Sequence, residues 1–174
     1  MVFQKEWNVI FWLDADPPSR IVLLHRGPGR PFAAGMNTGI GGKTNTLKSD
    51  PLGETIMEGA RREQREETGK EITLAIFAYC MITDRRRALY YLWGIYPDQE
   101  LPVCNEGTLE WVPVETISSM DIIPTTRLVL TRWQERNFST INPFTVFITE
   151  KERDNRGLTI PVLQAIRQGL VFEQ

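Results

Sequence analysis

Apolar and β-branched residues fall in short runs broken by turn formers along most of the chain. Residues 7–13 and 20–26 predict two strands, and the breaker-rich Asp14-Ala15-Asp16-Pro17-Pro18-Ser19 between them predicts a hairpin. A glycine-rich segment, residues 35–43, follows. In residues 56–68 the period changes: Ile56, Met57 and Ala60 make an apolar stripe at helical spacing. Residues 71–83 and 88–96 predict two long strands that pair antiparallel, the second carrying the β-prone Tyr90, Tyr91, Trp93 and Tyr96. Residues 110–114 predict a short strand, 125–135 a helix through Leu128, Leu130 and Trp133, 143–149 a further strand, and 162–170 a final helix. This mixture predicts one α+β domain over residues 1–174, an α/β/α sandwich.

The helix at 56–68 carries the chemistry. Thr55 with Glu58 three residues on reads as a capping box, and Gly69 supplies a left-handed stop. Gly59 inside the helix costs about 1 kcal/mol against alanine, which implies that a neighbour packs closely there. Glu63, Glu66 and Glu67 stand at i, i+3 and i+4 and share a face, so their mutual repulsion calls for a positive charge among them. Oxygen-only ligands suit a hard divalent ion, Mg²⁺ or Mn²⁺, whose remaining positions are completed by water and substrate phosphates. Arg62, one turn before Glu66, is placed to pair with a carboxylate and hold its rotamer. The competing reading of such a charge run is an exposed helix laced by ion pairs.

This stretch resembles the signature of the Nudix hydrolases, with Glu54, Arg62, Glu63, Glu66, Glu67 and Gly69 at the motif spacing. Three positions depart from it. Lys48 stands at the glycine spacing before Glu54, while Gln64 and Lys70 stand where aliphatic residues are usual. Gly42 in Gly39-Ile40-Gly41-Gly42-Lys43 matches the family's glycine, displaced by an insertion within residues 44–52; the box region is 41–70. A second stretch, Cys104-Asn105-Glu106-Gly107-Thr108-Leu109-Glu110-Trp111-Val112-Pro113, resembles the family's segment in which an acidic residue precedes a strand ending in Trp-Val-Pro. Glu106 is the match and Glu110 the runner-up.

The resemblance implies a mixed sheet between helices and a Mg²⁺-dependent hydrolase that adds water across a phosphoanhydride of a nucleoside diphosphate derivative. A nucleoside triphosphate, oxidised or not, would give the monophosphate and pyrophosphate. It implies Glu63, Glu66, Glu67, Glu106 and the carbonyl of Gly41 as metal ligands, and Glu63 or Glu106 as general base, since family members differ in that assignment. Arg62 takes an orienting role, and Lys43 and Gly42 contact phosphate. The order of elements is similar to the MutT-like branch that cleaves 8-oxo-dGTP. Some members of that branch read the purine with an Asn before the Gly-x-Gly-Gly-Lys segment and with acidic residues after a Pro. Here those places hold Thr38, beside Asn37, and Thr125-Thr126 after Pro124. Other readings are a hydrolase of dinucleotide polyphosphates or nucleotide sugars, and a nucleotide-binding sensor without turnover. Members of the family are often homodimers.

Composition bounds the rest. With 174 residues and 41% hydrophobic content, the chain can bury a full core. A net charge of −2 gives no general attraction to nucleic acid or to a membrane surface, and the basic run Arg85-Arg86-Arg87 between two strands reads as a solvated hairpin tip. Cys80 and Cys104 lack metal or redox spacing, and the longest apolar stretch, near 72–82, is too short to span a bilayer. Reduced thiols in a cytoplasmic protein are the expectation. His25 is the only histidine, so neither a histidine-dependent triad nor a multi-histidine zinc site is expected.

Overall fold

The computed structural model describes residues 5–46 and 51–169. Lys48 and part of the 44–52 insertion lie outside the described residues, as does Leu170, the last residue of the expected final helix. The chain runs β1 (Lys5–Leu13), β2 (Arg20–Arg26), β3 (Asn37–Thr38), β4 (Lys43–Thr44), α1 (Ile56–Thr68), β5 (Ala75–Ile82), β6 (Arg87–Ile95), β7 (Gly107–Pro113), a 3₁₀ turn (Val114–Ser119), α2 (Pro124–Gln134), β8 (Phe144–Arg153) and β9 (Thr159–Gln168). Among these residues the nine strands form one mixed sheet in the order β3-β2-β1-β6-β5-β8-β9, with β4 added to β1 and β7 to β2.

Period-two alternation sorts the strands' side chains into two layers. Val9, Phe11 and Leu13 of β1 join Phe77, Tyr91 and Phe144 beneath α2, which contributes Val129, Leu130 and Trp133. Ile10 and Trp12 face the opposite way, toward Ala60, Ile56 and Met57 of α1. The α/β/α arrangement follows directly, since each face of a two-sided apolar sheet needs a cover. No helix among the described residues is long and apolar enough to cross a membrane.

Two sequence expectations are corrected. The pair β1 and β2 is a hairpin only at its turn, where Leu13 opposes Ile21. Beyond it the sheet forks. The glycine segment takes β1's free edge, with Ile10 N–H donating to the Ile40 carbonyl at 2.7 Å and Asn8 N–H to that of Gly42 at 2.9 Å. β1 runs parallel to β6 on its other side, and β2 pairs along its length with β7. The second correction is at 162–170, which is strand and not helix: β9 lies antiparallel on β8. Ile160, Val162 and Ile166 point outward at alternate positions, while Leu163 packs toward the core. An edge strand with apolar residues on both faces yields a spacing that also fits a helix, and only the pairing with β8 decides.

The other elements stand within a few residues of expectation, and β5 and β6 do pair antiparallel. Their connection places Arg85 and Arg86 at an exposed turn. Gly59 has its packing reason: a Cβ there would lie 2.8 Å from the Thr44 methyl.

Candidate active site

The site begins with a well-held helix. The Thr55 hydroxyl accepts the Glu58 N–H, the Glu58 carboxylate accepts the Thr55 N–H, and Gly69 closes the helix at φ 67° while donating to the Arg65 carbonyl. Reciprocal capping satisfies donors that a helix start otherwise leaves orphaned, so the side chains one to three turns on are presented from a fixed backbone.

Arg62 is the electrostatic centre of the helix. Its Nε and Nη2 donate to the two oxygens of Glu54 at 3.0 and 2.7 Å, and its Nη1 donates to Glu63 at 2.8 Å and Glu66 at 2.9 Å. Nη2 also reaches the Lys43 carbonyl at 3.2 Å, tying the helix to the end of the glycine segment. Hydrogen bonding to Arg62 holds the Glu54 carboxyl below its ordinary range despite some burial. The planar five-donor fork explains why arginine fits this position.

Glu63 and Glu67 face the glycine segment. A Cβ on Gly42 would lie 2.8 Å from Glu63 Oε1, so only a glycine lets that carboxylate sit against the backbone. Gly41, at φ 129°, donates its N–H to Glu67 Oε2 at 3.3 Å. Burial raises the Glu63 carboxyl even against the pull of Arg62. Burial likewise pushes Glu67 up to about 7, with the Gly41 hydrogen bond opposing and the Glu63 charge adding. Glu66 differs, since its side chain is 57% exposed and turned to Arg62.

Glu106 arrives from the loop before β7. Asn105 docks this loop on the end of α1, its N–H donating to the Glu67 carbonyl at 3.1 Å and its side-chain amide to that of Glu66 at 2.9 Å. The Glu106 carboxylate is ion-paired to Arg30, with Arg26 4.0 Å away. Glu110, the runner-up, lies on β7 with its side chain in solvent.

Glu63, Glu67, Glu106, Gly41, Gly42 and Lys43 all line one cleft of about 730 Å³. Thr38, Thr125 and Thr126 line it too, as does Arg26, which sequence reasoning assigned no role. An arginine closing a strand just before a glycine-containing turn was the available signal. Arg62, Glu66 and Asn37 are not among the residues lining the cleft; the Asn37 amide donates to the Asp121 carbonyl at 2.9 Å and its oxygen lies 3.3 Å from His25 Nδ1. Among the described residues no three His, Cys, Asp or Glu side chains converge closely enough to enclose an ion. Arg62 draws Glu63 and Glu66 together from one side, and Arg30 holds Glu106 on the other. Gln64, at the aliphatic motif position, is wholly buried and accepts the Trp12 indole N–H at 2.9 Å. Cys80 and Cys104 are buried free thiols outside this chemistry, and burial pushes the Cys104 thiol up to about 11.

No protein-family model matches the chain. Solved structures do. The MutT protein of Bacillus halodurans superimposes with a TM-score of 0.64 over 94% of this chain and 97% of its own, at 17% identity. A NUDIX hydrolase from Nitrosomonas europaea gives 0.66 over 86% and 81%, at 15% identity. The NUDIX domain of Shewanella oneidensis NrtR, solved with ADP ribose, gives 0.54 over 78% and 88%, also at 15%. The chain therefore has the Nudix fold.

Proposed function

We propose that this chain is a divalent-metal-dependent pyrophosphohydrolase of nucleoside diphosphate derivatives, with Mg²⁺ as the ion and a nucleoside triphosphate as the leading substrate, cleaved to the monophosphate and pyrophosphate. The observation that carries the reading is the pair of carboxylates, Glu67 buried and Glu63 partly buried, set against Gly41 and Gly42 inside the cleft. Buried carboxylates on a glycine backbone form an all-oxygen donor set, and a cation among them offsets the cost of keeping both ionised. Glu63, Glu67, Glu106 and the Gly41 carbonyl would hold the ion, with Glu66 joining once released from Arg62. When bound, such an ion neutralises bridging phosphate oxygens and lowers the pKa of a coordinated water.

The chain's own groups do the rest. Arg62 restrains Glu63 and Glu66 through its fork, limiting the rotamers the carboxylates must give up on binding. Arg26 and Lys43 add positive charge to a cleft that must take a polyanion. Glu63 or Glu106 accepts the proton of the attacking water, and both line the cleft.

Glu106 is held by Arg30, and the described residues form no ready-made cage. That observation favours a second reading, a nucleotide-binding sensor, and the ADP ribose on the NrtR domain shows that one protein of this fold is solved with such a ligand.

Turnover separates the two. Chromatographic product analysis after incubation with Mg²⁺ and nucleoside triphosphates, oxidised triphosphates, dinucleotide polyphosphates and nucleotide sugars is expected to show nucleoside monophosphate release from one class. Glu67→Gln is expected to cut that rate by about 100-fold or more while melting no lower than the parent. Tight nucleotide binding with no product from any substrate would establish the sensor.

A further inference from the structure

Glu150 on β8 is 5% exposed and lines the same cleft as Glu63 and Glu67. Its main chain is satisfied, with N–H donating to both Asp84 oxygens at 3.1 Å and C=O accepting from Arg85 at 3.3 Å. Its carboxylate receives no hydrogen bond and no ion pair from the described residues. Three arginines that line the cleft make their contacts elsewhere. Arg87 stacks over Trp7 at 5.6 Å, Arg153 donates to the Gly157 carbonyl at 2.6 Å, and Arg26 donates to that of Phe32 at 3.0 Å. Its oxygens are not among the sealed, unpartnered polar atoms of the described residues, so they meet the open cleft and leave two acceptors free for an incoming donor.

β6 and β5 lie between β1 and β8, and the Gly41–Gly42 backbone sits on β1's opposite edge, so Glu150 stands four strand spacings, about 19 Å, across the sheet from it. A second carboxylate at that remove repels phosphate and suits the other end of a nucleotide. Hydroxyls line the same cleft: Thr126 Oγ1 lies 3.5 Å from both Thr38 Oγ1 and Tyr91 Oη. Leu89, Ile123 and Leu158 supply apolar wall for a flat ring.

We propose that Glu150 is the specificity-determining residue of this cleft, accepting two adjacent N–H donors from the edge of a guanine-type ring. The proposal rests on the nucleotide reading above. A carboxylate offers two parallel acceptors and no donor. Guanine presents N1–H beside its exocyclic amino group and meets both oxygens. Hypoxanthine presents N1–H alone, and adenine sets an acceptor nitrogen beside its amino group, opposite a carboxylate oxygen. Threonines at 38, 125 and 126 cannot make that charged pair, and β8 brings in the carboxylate from a part of the chain far from the box.

The test compares GMP with IMP by calorimetry, and GTP with ITP and ATP by initial rates with Mg²⁺, for the parent protein, Glu150→Gln and Glu150→Asp. The parent is expected to bind GMP about tenfold or more tighter than IMP, and to show the same preference in kcat/KM for GTP. In Glu150→Gln the guanine-to-hypoxanthine ratio falls to within about threefold of unity, and in Glu150→Asp it lies between. A parent that does not distinguish GMP from IMP overturns the proposal, as does either variant retaining the full ratio. Absence of turnover with an intact GMP-to-IMP ratio would remove the hydrolase and leave Glu150 in its role; turnover with an unchanged ratio in the variants would do the reverse.

Discussion

At the scale of single residues, the pairing of Gln64 with Trp12 shows how a departure from a motif is absorbed. The indole of Trp12 is wholly buried and stacks on Tyr96 at 4.3 Å, and its N–H has the Gln64 carbonyl oxygen as acceptor. Gln64→Leu is expected to destabilise the fold by about 1–3 kcal/mol in urea denaturation, because it strands a buried donor. The double variant Trp12→Phe, Gln64→Leu recovers part of that loss, since it removes both partners. A Gln64→Leu variant as stable as the parent would show the hydrogen bond to be inconsequential. Sequence spacing located Gln64 without showing its purpose, for its partner lies 52 residues away in the chain.

At the scale of elements, the turn between β1 and β2 is held by Asp14. Partial burial raises its carboxyl, but hydrogen bonds from the Ser19 hydroxyl and from the Arg20 and Ser19 N–H groups outweigh this and leave it below its ordinary value. A folded-state pKa beneath the unfolded one contributes stability that is fully present above the unfolded value and is lost as pH falls through the folded one. The acid limb of a melting-temperature profile below about pH 4 is therefore expected to flatten in Asp14→Asn, with the parent and variant converging at low pH. Parallel profiles for the two proteins would contradict this. The turn itself was readable from its breakers, and the helix α1 from its capping box and glycine stop, because both signals are local. The forking of β1 from β2 was not, since the competitor for the β1 edge is a segment whose own sequence carries no strand signature.

At the scale of the whole molecule, β9 closes one side of the sheet and leaves Ile160, Val162 and Ile166 partly in solvent. Strand alternation makes neighbouring positions unequal. Val162→Lys is expected to change stability by no more than about 0.5 kcal/mol, whereas Leu163→Lys costs about 2 kcal/mol or more by placing an ammonium against the core. Equal effects in thermal denaturation would contradict the strand register. The same hairpin, β8 with β9, carries Glu150 into the cleft and so joins the chain's last strands to a site begun by its glycine segment.

The sequence by itself determined the elements whose signals are local: the capped acidic helix, the order of most strands, and the carboxylate spacing of Glu63, Glu66 and Glu67 with Arg62 beside them. A helix turn converts spacing along the chain directly into a shared face, so no tertiary knowledge is required. Tertiary structure alone decided which of those carboxylates enter the cleft, that Arg30 holds Glu106, that Asn37 is committed to the Asp121 loop, that residues 162–168 are strand, and that Glu150 lines the cleft with no side-chain partner among the described residues. Each of these depends on a contact between residues far apart in sequence, set by strand order and by competition for edges and buried volume.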